Sequence, residues 1–406
     1  MKRTAAQGGG EDEAQVTSDE VRCFEAAILL VLEASHGLRP ADLARLVADA
    51  CALLGATSTE LLLVDSDQRV LVPLSDPKRE HHAVEGSAAG QAYRRTEVLR
   101  LDGDPSTLWL PLLDGFDRVG VMVVQVPSPS PALVRRFAAL ATLVSELIVA
   151  KSAYTDLFTV VRRLQPMALA AEMAWNVLPP LTFVSDQVSV AGILKPAYDV
   201  AGDAFDYSID AEVAHVALVD AMGHGLEASR MSSVAITTYR NCRRAGDDLH
   251  TTFDTIDRVI AEVFGDHRYV TGQFGRLELA TGRLSWLNAG HPLPLHVRGD
   301  KVLGQLPCAP TAPAGWQGQR GPVAEVDLQP GDDVLLFTDG VVDGRSPEGV
   351  PFGVERLGDL LVRSTSARLS PPETVRRLCH DVFRHRGDEL EDDATMLLLR
   401  WGRPPP

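Results

Sequence analysis

The stretch HVALVDAMGHG, residues 215–225, decides how the second half of this 406-residue chain is interpreted. Its apolar run predicts a buried β-strand, and Asp220 stands where that strand ends. Two glycines around His224 then keep the backbone after the acid thin and conformationally free. A lone acid at a strand end is more often part of a turn than a ligand, and a lone His224 is more often a turn histidine than a catalytic one. The stretch therefore gains a functional meaning only from similar sites elsewhere in the chain.

Three further sites carry acids: Asp203 and Asp206 in DVAGDAFD, Asp339 and Asp343 in LLFTDGVVDG, and Asp392 and Asp393 in ELEDDATMLLLR. The first follows an extended Lys-Pro segment, the second ends an apolar strand and the third begins one. Carboxylates that meet at adjacent strand ends repel one another unless they are protonated or bridged by cations. Oxygen ligands favour a hard ion such as Mg²⁺ or Mn²⁺. Two such ions would form a hydrolytic centre that clamps a phosphate, and the residue after Asp220 would offer its backbone carbonyl.

Five motifs in the second half of the chain resemble, in order and spacing, those of PPM-type metal-dependent serine/threonine phosphatases: PAYDVAGDAFD, LVDAMGHGLEAS, WLNAGHPLPL, LLFTDGVVDGR and EDDATMLLL. They are most similar to the bacterial SpoIIE/RsbU-like branch, whose members are relatives of the type-2C phosphatases. The resemblance covers roughly residues 165–401. It implies an α+β fold class, with an αββα sandwich that holds its metals in a cleft at one end.

The resemblance also implies which residues do the chemistry. The four catalytic, metal-binding carboxylates would be Asp203, Asp220, Asp339 and Asp392. Asp220 would bridge two Mn²⁺ or Mg²⁺ ions, and Ala221 would add its backbone carbonyl to the ion that Asp203 holds. Asp393 stands directly beside Asp392, so either residue can be the last ligand. The NAGH turn, residues 288–291, is expected to be architectural.

The implied activity is that of a protein serine/threonine phosphatase of bacterial signalling. Water activated by two metal ions would attack phosphorus in line as the serine or threonine oxygen leaves. In the resembling branch the expected substrate is a phosphorylated, STAS-like anti-sigma-factor antagonist. The alternative is a regulatory binding protein, whose first domain senses a ligand and whose second domain is a scaffold. A scaffold, however, would not need the metal-binding carboxylates.

The first part of the chain has a mixed pattern of helices and strands. Two amphipathic helices precede strand-like segments with Gly and Asp at their turns, and a long helix follows, which is an α+β plan. This order resembles a GAF domain, in which LPLLDGFDRVGVMVVQ corresponds to a late hairpin and RRFAALATLVSELI to the helix after it. The predicted domains are a disordered tail over residues 1–17, a GAF-like sensor over 18–150, a helical linker over 151–180 and the phosphatase domain over 181–402. The sequence does not indicate which ligand or partner the sensor binds.

The linker is predicted to be mostly helical until Pro179 and Pro180 stop it, and Pro166 should kink the helix or start a new one. Two interpretations stay open for the helix around Leu164 to Val177. It could pack on its own domain, or it could be a signalling linker that dimerises the chain, together with the GAF-like domain, and transmits the state of the first domain to the second.

The composition limits the compartment and the partners. Hydrophobic residues make up 45% and charged residues 23% of the chain, as in soluble globular proteins, and the net charge is −16. So acidic a chain is not expected to bind nucleic acid, which attracts basic surfaces. No apolar run is long enough for a membrane span, and the basic N-terminus lacks the apolar region of a signal peptide. Five scattered cysteines suggest reduced thiols, and the expected location is the cytoplasm.

Overall fold

The structure is a computed structural model, which describes residues 8–115, 117–199, 202–265, 267–319, 321–387 and 393–402. Side chains are described from residue 20 onward, within those ranges. The chain divides into two compact units, Met1–Leu164 and Gln165–Pro406. Within the described residues, no helix is both long and apolar enough to cross a lipid bilayer.

The first unit combines helices with one antiparallel sheet. Its helices are α1 Gly8–Ser35, α2 Leu43–Leu53, α3 Ala88–Arg95, α4 Pro131–Ser152 and α5 Leu157–Arg162, with a 3₁₀ turn at Pro40–Asp42. Its strands are β1 Ser58–Val64, β2 Val70–Pro73, β3 His82–Ala83, β4 Leu99–Leu101, β5 Ser106–Asp114 and β6 Asp117–Val126. They form a six-stranded sheet in the order β3-β2-β1-β6-β5-β4.

Both faces of this sheet are covered, because successive side chains of a strand point to opposite faces. In β1, Leu61 and Leu63 join the large core formed with α1, α2, α4 and α5, whereas Leu62 joins a smaller core with α3. The predicted hairpin is present as the β5–β6 pair, and the predicted long helix is α4. One further element, not predicted from the sequence, is α3, a short polar helix that Ser87 caps by accepting a hydrogen bond from the Gly90 amide at 2.9 Å.

The linker is not one helix. As predicted, the helix breaks near Pro166: α5 ends at Arg162, residues 163–168 are not helical, and the next helix, α6 Leu169–Val177, follows. The prediction of a helix around Leu164 to Val177 is therefore wrong in its first part. Each helix packs within its own unit, α5 through the buried Phe158 and α6 through a small cluster that includes Ala171. This packing supports the first of the two interpretations, in which the helix packs on its own domain.

The second unit contains two antiparallel sheets. One has the order β15-β12-β11-β10-β9, and the other has the order β14-β13-β16-β17-β8-β7. Their strands are β7 Thr182–Val184, β8 Val188–Lys195, β9 Asp203–Ile209, β10 Val213–Ala221, β11 Val270–Glu278, β12 Arg283–Ala289, β13 Leu295–Arg298, β14 Lys301–Gln305, β15 Ala324–Asp327, β16 Asp332–Phe337 and β17 Ala394–Trp401.

Helices cover the outer faces of the two sheets. Besides α6, they are α7 Gly225–Ala245, α8 Leu249–Phe264, α9 Asp339–Val342, α10 Val354–Ser366 and α11 Pro371–Arg386. One core lies between the sheets and includes Phe205, Trp286 and Leu397. A second core joins α7 and α8 to the first sheet, and a third joins α9, α10 and α11 to the other. The layers thus follow the order helix, sheet, sheet, helix, as predicted, and the apolar strands are buried on both faces.

Candidate metal centre

The pairing of β9 with β10 brings two of the predicted acids together. In this antiparallel register Asp203, the first residue of β9, is the direct partner of Asp220, near the end of β10. Directly opposed residues on neighbouring strands have their Cβ atoms about 4.5–5.5 Å apart. The loop after β10 then turns away through Gly223 and Gly225, which have φ values of 93° and 73° that favour glycine. The acid pair therefore lies where the sheet ends and a thin loop begins.

Asp203 is almost fully buried, and its carboxylate accepts a hydrogen bond from a residue in another segment of the chain. The hydroxyl of Thr338 donates a hydrogen bond to Oδ2 of Asp203 at 2.8 Å. The same hydroxyl oxygen accepts a hydrogen bond from the amide of Thr395 at 3.0 Å. Thr338 lies between β16 and α9, and Thr395 lies in β17, so one hydroxyl links three segments of the two sheets. This arrangement fixes the orientation of the Asp203 carboxylate.

The carboxylate of Asp393 contacts the backbone next to Asp203. Its Oδ2 accepts hydrogen bonds from the amide of Gly202 at 2.7 Å and from the amide of Asp203 at 3.3 Å. Asp392, the other candidate for the last ligand, lies outside the described residues. Because Oδ2 of Asp393 already accepts two backbone hydrogen bonds, it supports the strand that carries Asp203.

The electrostatics of this cluster favour a cation. Burial raises the pKa of Asp203 well above its usual range, and the nearby charges of Asp220 and Asp393 raise it further. The hydrogen bond from the hydroxyl of Thr338 opposes that rise. A positive ion among the carboxylates would remove the repulsion.

The oxygen donors at this point fit a hard metal ion. A Cβ added at Gly202 would lie 2.8 Å from the carbonyl oxygen of Ala221 and 3.5 Å from Oδ1 of Asp220. The two oxygens thus border a space that a side chain at position 202 would fill. Carboxylate and carbonyl oxygens are the donors that Mg²⁺ and Mn²⁺ prefer. Within the described residues, which leave out Asp392, no three Asp, Glu, His or Cys side chains converge closely enough to make a complete metal site.

Asp339 lies at the same end of the sandwich. It is the first residue of α9, directly after Thr338, and it lines an open cleft. The next residue, Gly340, packs so closely against the residue before β17 that an added Cβ would overlap the carbonyl oxygen of Asp393. The neighbours of Asp339 on both sides thus contact the segments that carry Asp203 and Asp393.

Asp206, the second acid of the first motif, does not join this cluster. Asp206 stands three positions after Asp203 in the strand, so the two side chains point to opposite faces of β9. Asp206 is buried and receives hydrogen bonds from Arg240 at 2.6 and 2.9 Å and from Arg243 at 2.5 Å. Arg240 also donates to the carbonyl oxygen of Val177. Asp206 therefore fastens α7 and the end of α6 to the sheet.

The NAGH turn is closed by its own hydrogen bonds. Asn288 donates to the carbonyl oxygen of His291 at 3.0 Å and accepts from the His291 amide at 2.7 Å. Nδ1 of His291 lies 2.9 Å from the hydroxyl of Thr271, and burial lowers the pKa of His291 to about 3. The imidazole is therefore neutral, as a structural group would be. His224 is exposed just before α7.

Sequence reasoning missed Thr338 and Gly202. The sequence shows that Thr338 stands directly before the acid of the TDG motif. It does not show the contact with Asp203, which is 135 residues away in the chain. The signal for Gly202 was a small residue before Asp203, but its closeness to Ala221 depends on strand pairing. Neither contact can be predicted from the pattern of apolar and polar residues in the neighbouring sequence.

We expect Thr338→Val to weaken Mn²⁺ binding by roughly tenfold to a hundredfold, because the loss of one hydrogen bond to a buried carboxylate costs about 1.5–3 kcal/mol. Thr338→Ser keeps the hydroxyl and should retain most of the affinity. Isothermal titration calorimetry with Mn²⁺ measures both variants without any substrate. Equal affinities for the valine and serine variants would show that the hydroxyl does not position Asp203.

The second unit is thus a sandwich of two antiparallel sheets with Asp203 and Asp220 paired at one end. Residues 210–402 match the family model described as "Stage II sporulation protein E (SpoIIE)". This match covers just under half of the chain and supports the predicted SpoIIE-like phosphatase domain over these residues.

Individual relatives agree with that match. Protein IcfG of Synechocystis sp. is 27% identical over 142 residues, which are 34% of this chain and 22% of that protein. Phosphoserine phosphatase RsbU of Bacillus subtilis is 22% identical over 233 residues, which are 57% of this chain and 69% of that protein. The solved structure of the RsbU and RsbW domains of Rv1364c from Mycobacterium tuberculosis is 28% identical, with a TM-score of 0.46, over 56% of this chain and 63% of that one. Of the two curated relatives, RsbU is named a phosphatase, and the chain spans less than a quarter of the length of IcfG.

Proposed function

We propose that this chain is a metal-dependent protein serine/threonine phosphatase of bacterial signalling. The observation that carries the proposal is the acid pair Asp203 and Asp220 at the end of the sandwich, with Thr338 and Asp393 holding the strand of Asp203 in place. Metal-binding acids in this arrangement serve hydrolysis of a phosphate ester, whereas a scaffold gains no stability from buried carboxylates that repel one another.

Five residues would hold two Mn²⁺ or Mg²⁺ ions: Asp203, Asp220, Asp339, Asp392 and the backbone carbonyl of Ala221. Asp393 would support the backbone of Asp203, or replace Asp392 as the last ligand. When bound, the two ions would neutralise phosphate charge and make water a better nucleophile. The chain itself would orient the carboxylates through Thr338 and, through the glycines after Asp220, keep the loop thin enough for a phosphorylated protein to approach.

The proposed substrate is a phosphoserine or phosphothreonine protein, a STAS-like antagonist of an anti-sigma factor. The name phosphoserine phosphatase of the relative RsbU supports the phosphoserine part of this proposal. We expect the purified chain to release phosphate from such a phosphoprotein only when Mn²⁺ or Mg²⁺ is added. Silence on several phosphoproteins and on p-nitrophenyl phosphate would favour the regulatory scaffold instead.

For the first unit we propose a GAF-like sensor that forms a homodimer. The supporting observation is a set of exposed leucines on α1, namely Leu29, Leu30 and Leu32, of which Leu29 is 55% exposed. An apolar helix face of this kind is stabilised when a second copy covers it. Light scattering should give a dimer for the wild type and a monomer for Leu29→Asp with Leu32→Asp. A monomeric wild type would refute the proposal.

A further inference from the structure

An exposed aromatic side chain lies beside the loop that follows Asp220. Trp316, in the loop between β14 and β15, is 57% exposed. Its ring contacts that of Tyr269 edge to face, with 5.3 Å between the ring centroids and 71° between the planes. The carbonyl oxygen of Tyr269 accepts a hydrogen bond from the amide of Met222 at 3.1 Å. Because Met222 is the second residue after Asp220, a single residue connects the tryptophan to the loop of the candidate metal centre.

The backbone that carries Trp316 is fixed to neighbouring elements. Ala314 and the first residue of β11 exchange two hydrogen bonds of 2.9 Å. Oδ1 of Asp257 in α8 accepts hydrogen bonds from the amide of Gly315 at 2.6 Å and from the amide of Gln317 at 3.0 Å. The tryptophan thus stands between two residues that one carboxylate holds. A side chain presented on an ordered loop loses little conformational freedom when it binds a partner.

Two more apolar side chains are exposed in the segments around this contact. Met222 is 37% exposed, and Leu226, in the first turn of α7, is 44% exposed. The residue after Leu226 is Glu227, which forms a salt bridge of 2.9 Å with Arg268, the residue before the tyrosine under the tryptophan. All three apolar side chains therefore belong to segments that contact residues 268–269. We call Met222, Leu226 and Trp316 the tryptophan patch.

The area of the tryptophan patch indicates what kind of partner covers it. A large side chain has about 150–250 Å² of surface, so the exposed fractions of the three side chains amount to roughly 200–350 Å². A stable dimer takes about 800 Å² from each partner. An apolar patch of a few hundred Å² often has a function, and tryptophan is among the residues that contribute most to binding at interfaces. A patch this small beside the metal-binding loop fits a transient partner, which is the phosphoprotein substrate.

The strand register sets the distance between the tryptophan and the acid pair. Asp220 is the direct partner of Thr271. Tyr269 precedes Thr271 by two residues, which corresponds to about 7 Å along a strand. With the 5.3 Å between the two rings, the ring of Trp316 lies on the order of 10–15 Å from Asp220. An extended substrate chain, at about 3.3–3.6 Å per residue, covers this distance in about three or four residues.

We propose that the tryptophan patch binds an aliphatic or aromatic side chain of the phosphoprotein substrate, about three or four residues from the phosphorylated serine or threonine. This proposal rests on the phosphatase function proposed above. Burial of the substrate side chain against Trp316 adds binding energy, whereas the phosphate itself stays with the metal-binding acids. Because this contact is the same before and during the reaction, it lowers KM and does not raise kcat.

The test compares two phosphoserine peptides that carry either leucines or asparagines at the third and fourth positions on both sides of the phosphoserine. With Mn²⁺, we expect the wild type to prefer the leucine peptide about tenfold in kcat/KM, mainly through a lower KM. Trp316→Ala should bring the ratio of the two kcat/KM values close to one, and Trp316→Phe, which keeps an aromatic ring, should retain a preference of severalfold. The matched control is Leu303→Ala, at a 49% exposed residue of β14, which should keep the wild-type ratio.

Three results would overturn the proposal. They are equal kcat/KM for both peptides in the wild type, a wild-type ratio in Trp316→Ala, and a loss in Trp316→Ala that lowers kcat equally on both peptides. The last result would mean that the tryptophan only supports the metal-binding loop. Light scattering should give Trp316→Ala the oligomeric state of the wild type. A smaller species would assign the tryptophan patch to a second copy of the chain and reject the proposal.

Failure of the phosphatase proposal can be told apart from failure of the tryptophan patch. If the wild type hydrolyses neither peptide, the phosphatase proposal fails by itself. Fluorescence anisotropy of the two labelled peptides then tests the patch, and the wild type should bind the leucine peptide more tightly than Trp316→Ala does. Equal affinities of the wild type for both peptides would reject the patch.

Discussion

Asp220→Asn should abolish Mn²⁺-dependent hydrolysis of p-nitrophenyl phosphate, with a loss of roughly 100-fold or more, as expected when a preorganised charge at a reacting centre is removed. Asparagine has nearly the same shape as aspartate but lacks the charge that would bridge two cations. The register that pairs Asp220 with Asp203 does not depend on that charge, so the fold should remain. Steady-state kinetics at saturating Mn²⁺ measures the effect.

The same substitution should abolish activity without lowering the stability of the metal-free protein. The charge of Asp220 raises the pKa of Asp203, which means that the two carboxylates destabilise one another in the metal-free protein. Metal-free Asp220→Asn should therefore melt at the same temperature as the wild type or above it. Asp300→Asn, an exposed residue of the β13–β14 turn, is the matched control and should change neither activity nor melting. A large drop in the melting temperature of Asp220→Asn would instead show that the variant loses activity because it folds poorly.

Asp206→Ala should destabilise the second unit by about 3–5 kcal/mol, because it leaves arginine charges without their buried partner. The side chain of Asp206 is 1% exposed, and those of Arg240 and Arg243 are 21% and 10% exposed. Urea unfolding measures the change in the free energy of unfolding. Asp327→Ala removes a salt bridge of similar chemistry to Arg283, but its side chain is 73% exposed, so little measurable change is expected. Equal effects of the two substitutions would contradict a structural role for Asp206.

Much of the second unit could be predicted from local sequence because its strands are long and apolar. The runs before Asp220 and Asp339 read as buried strands ending in acids, and they are β10 and β16. The antiparallel pairing of β9 with β10 brings Asp203 and Asp220 together at one end of the sandwich. Short amphipathic helices such as α10, whose sequence VERLGDLLVRSTS is largely polar, were missed because their apolar face is narrow.

What the sequence could not supply were contacts between distant segments. Asp203 and Asp206 share one motif, yet strand alternation sends Asp206 to two arginines of α7. Thr338 contacts Asp203 only because β9, β16 and β17 meet across the two sheets. The break near Pro166 could be predicted from the proline, but the assignment of α5 and α6 to different units could not.

The most direct test of the central claim is a Mn²⁺ titration of p-nitrophenyl phosphate hydrolysis by the wild type and by Asp339→Asn. The metal-centre account predicts that wild-type turnover rises from background as Mn²⁺ is added and returns to background with excess EDTA. Asp339→Asn should stay at background at every Mn²⁺ concentration, with an unchanged circular dichroism spectrum. Turnover that persists in EDTA, or a folded Asp339→Asn variant with wild-type turnover, would contradict the account.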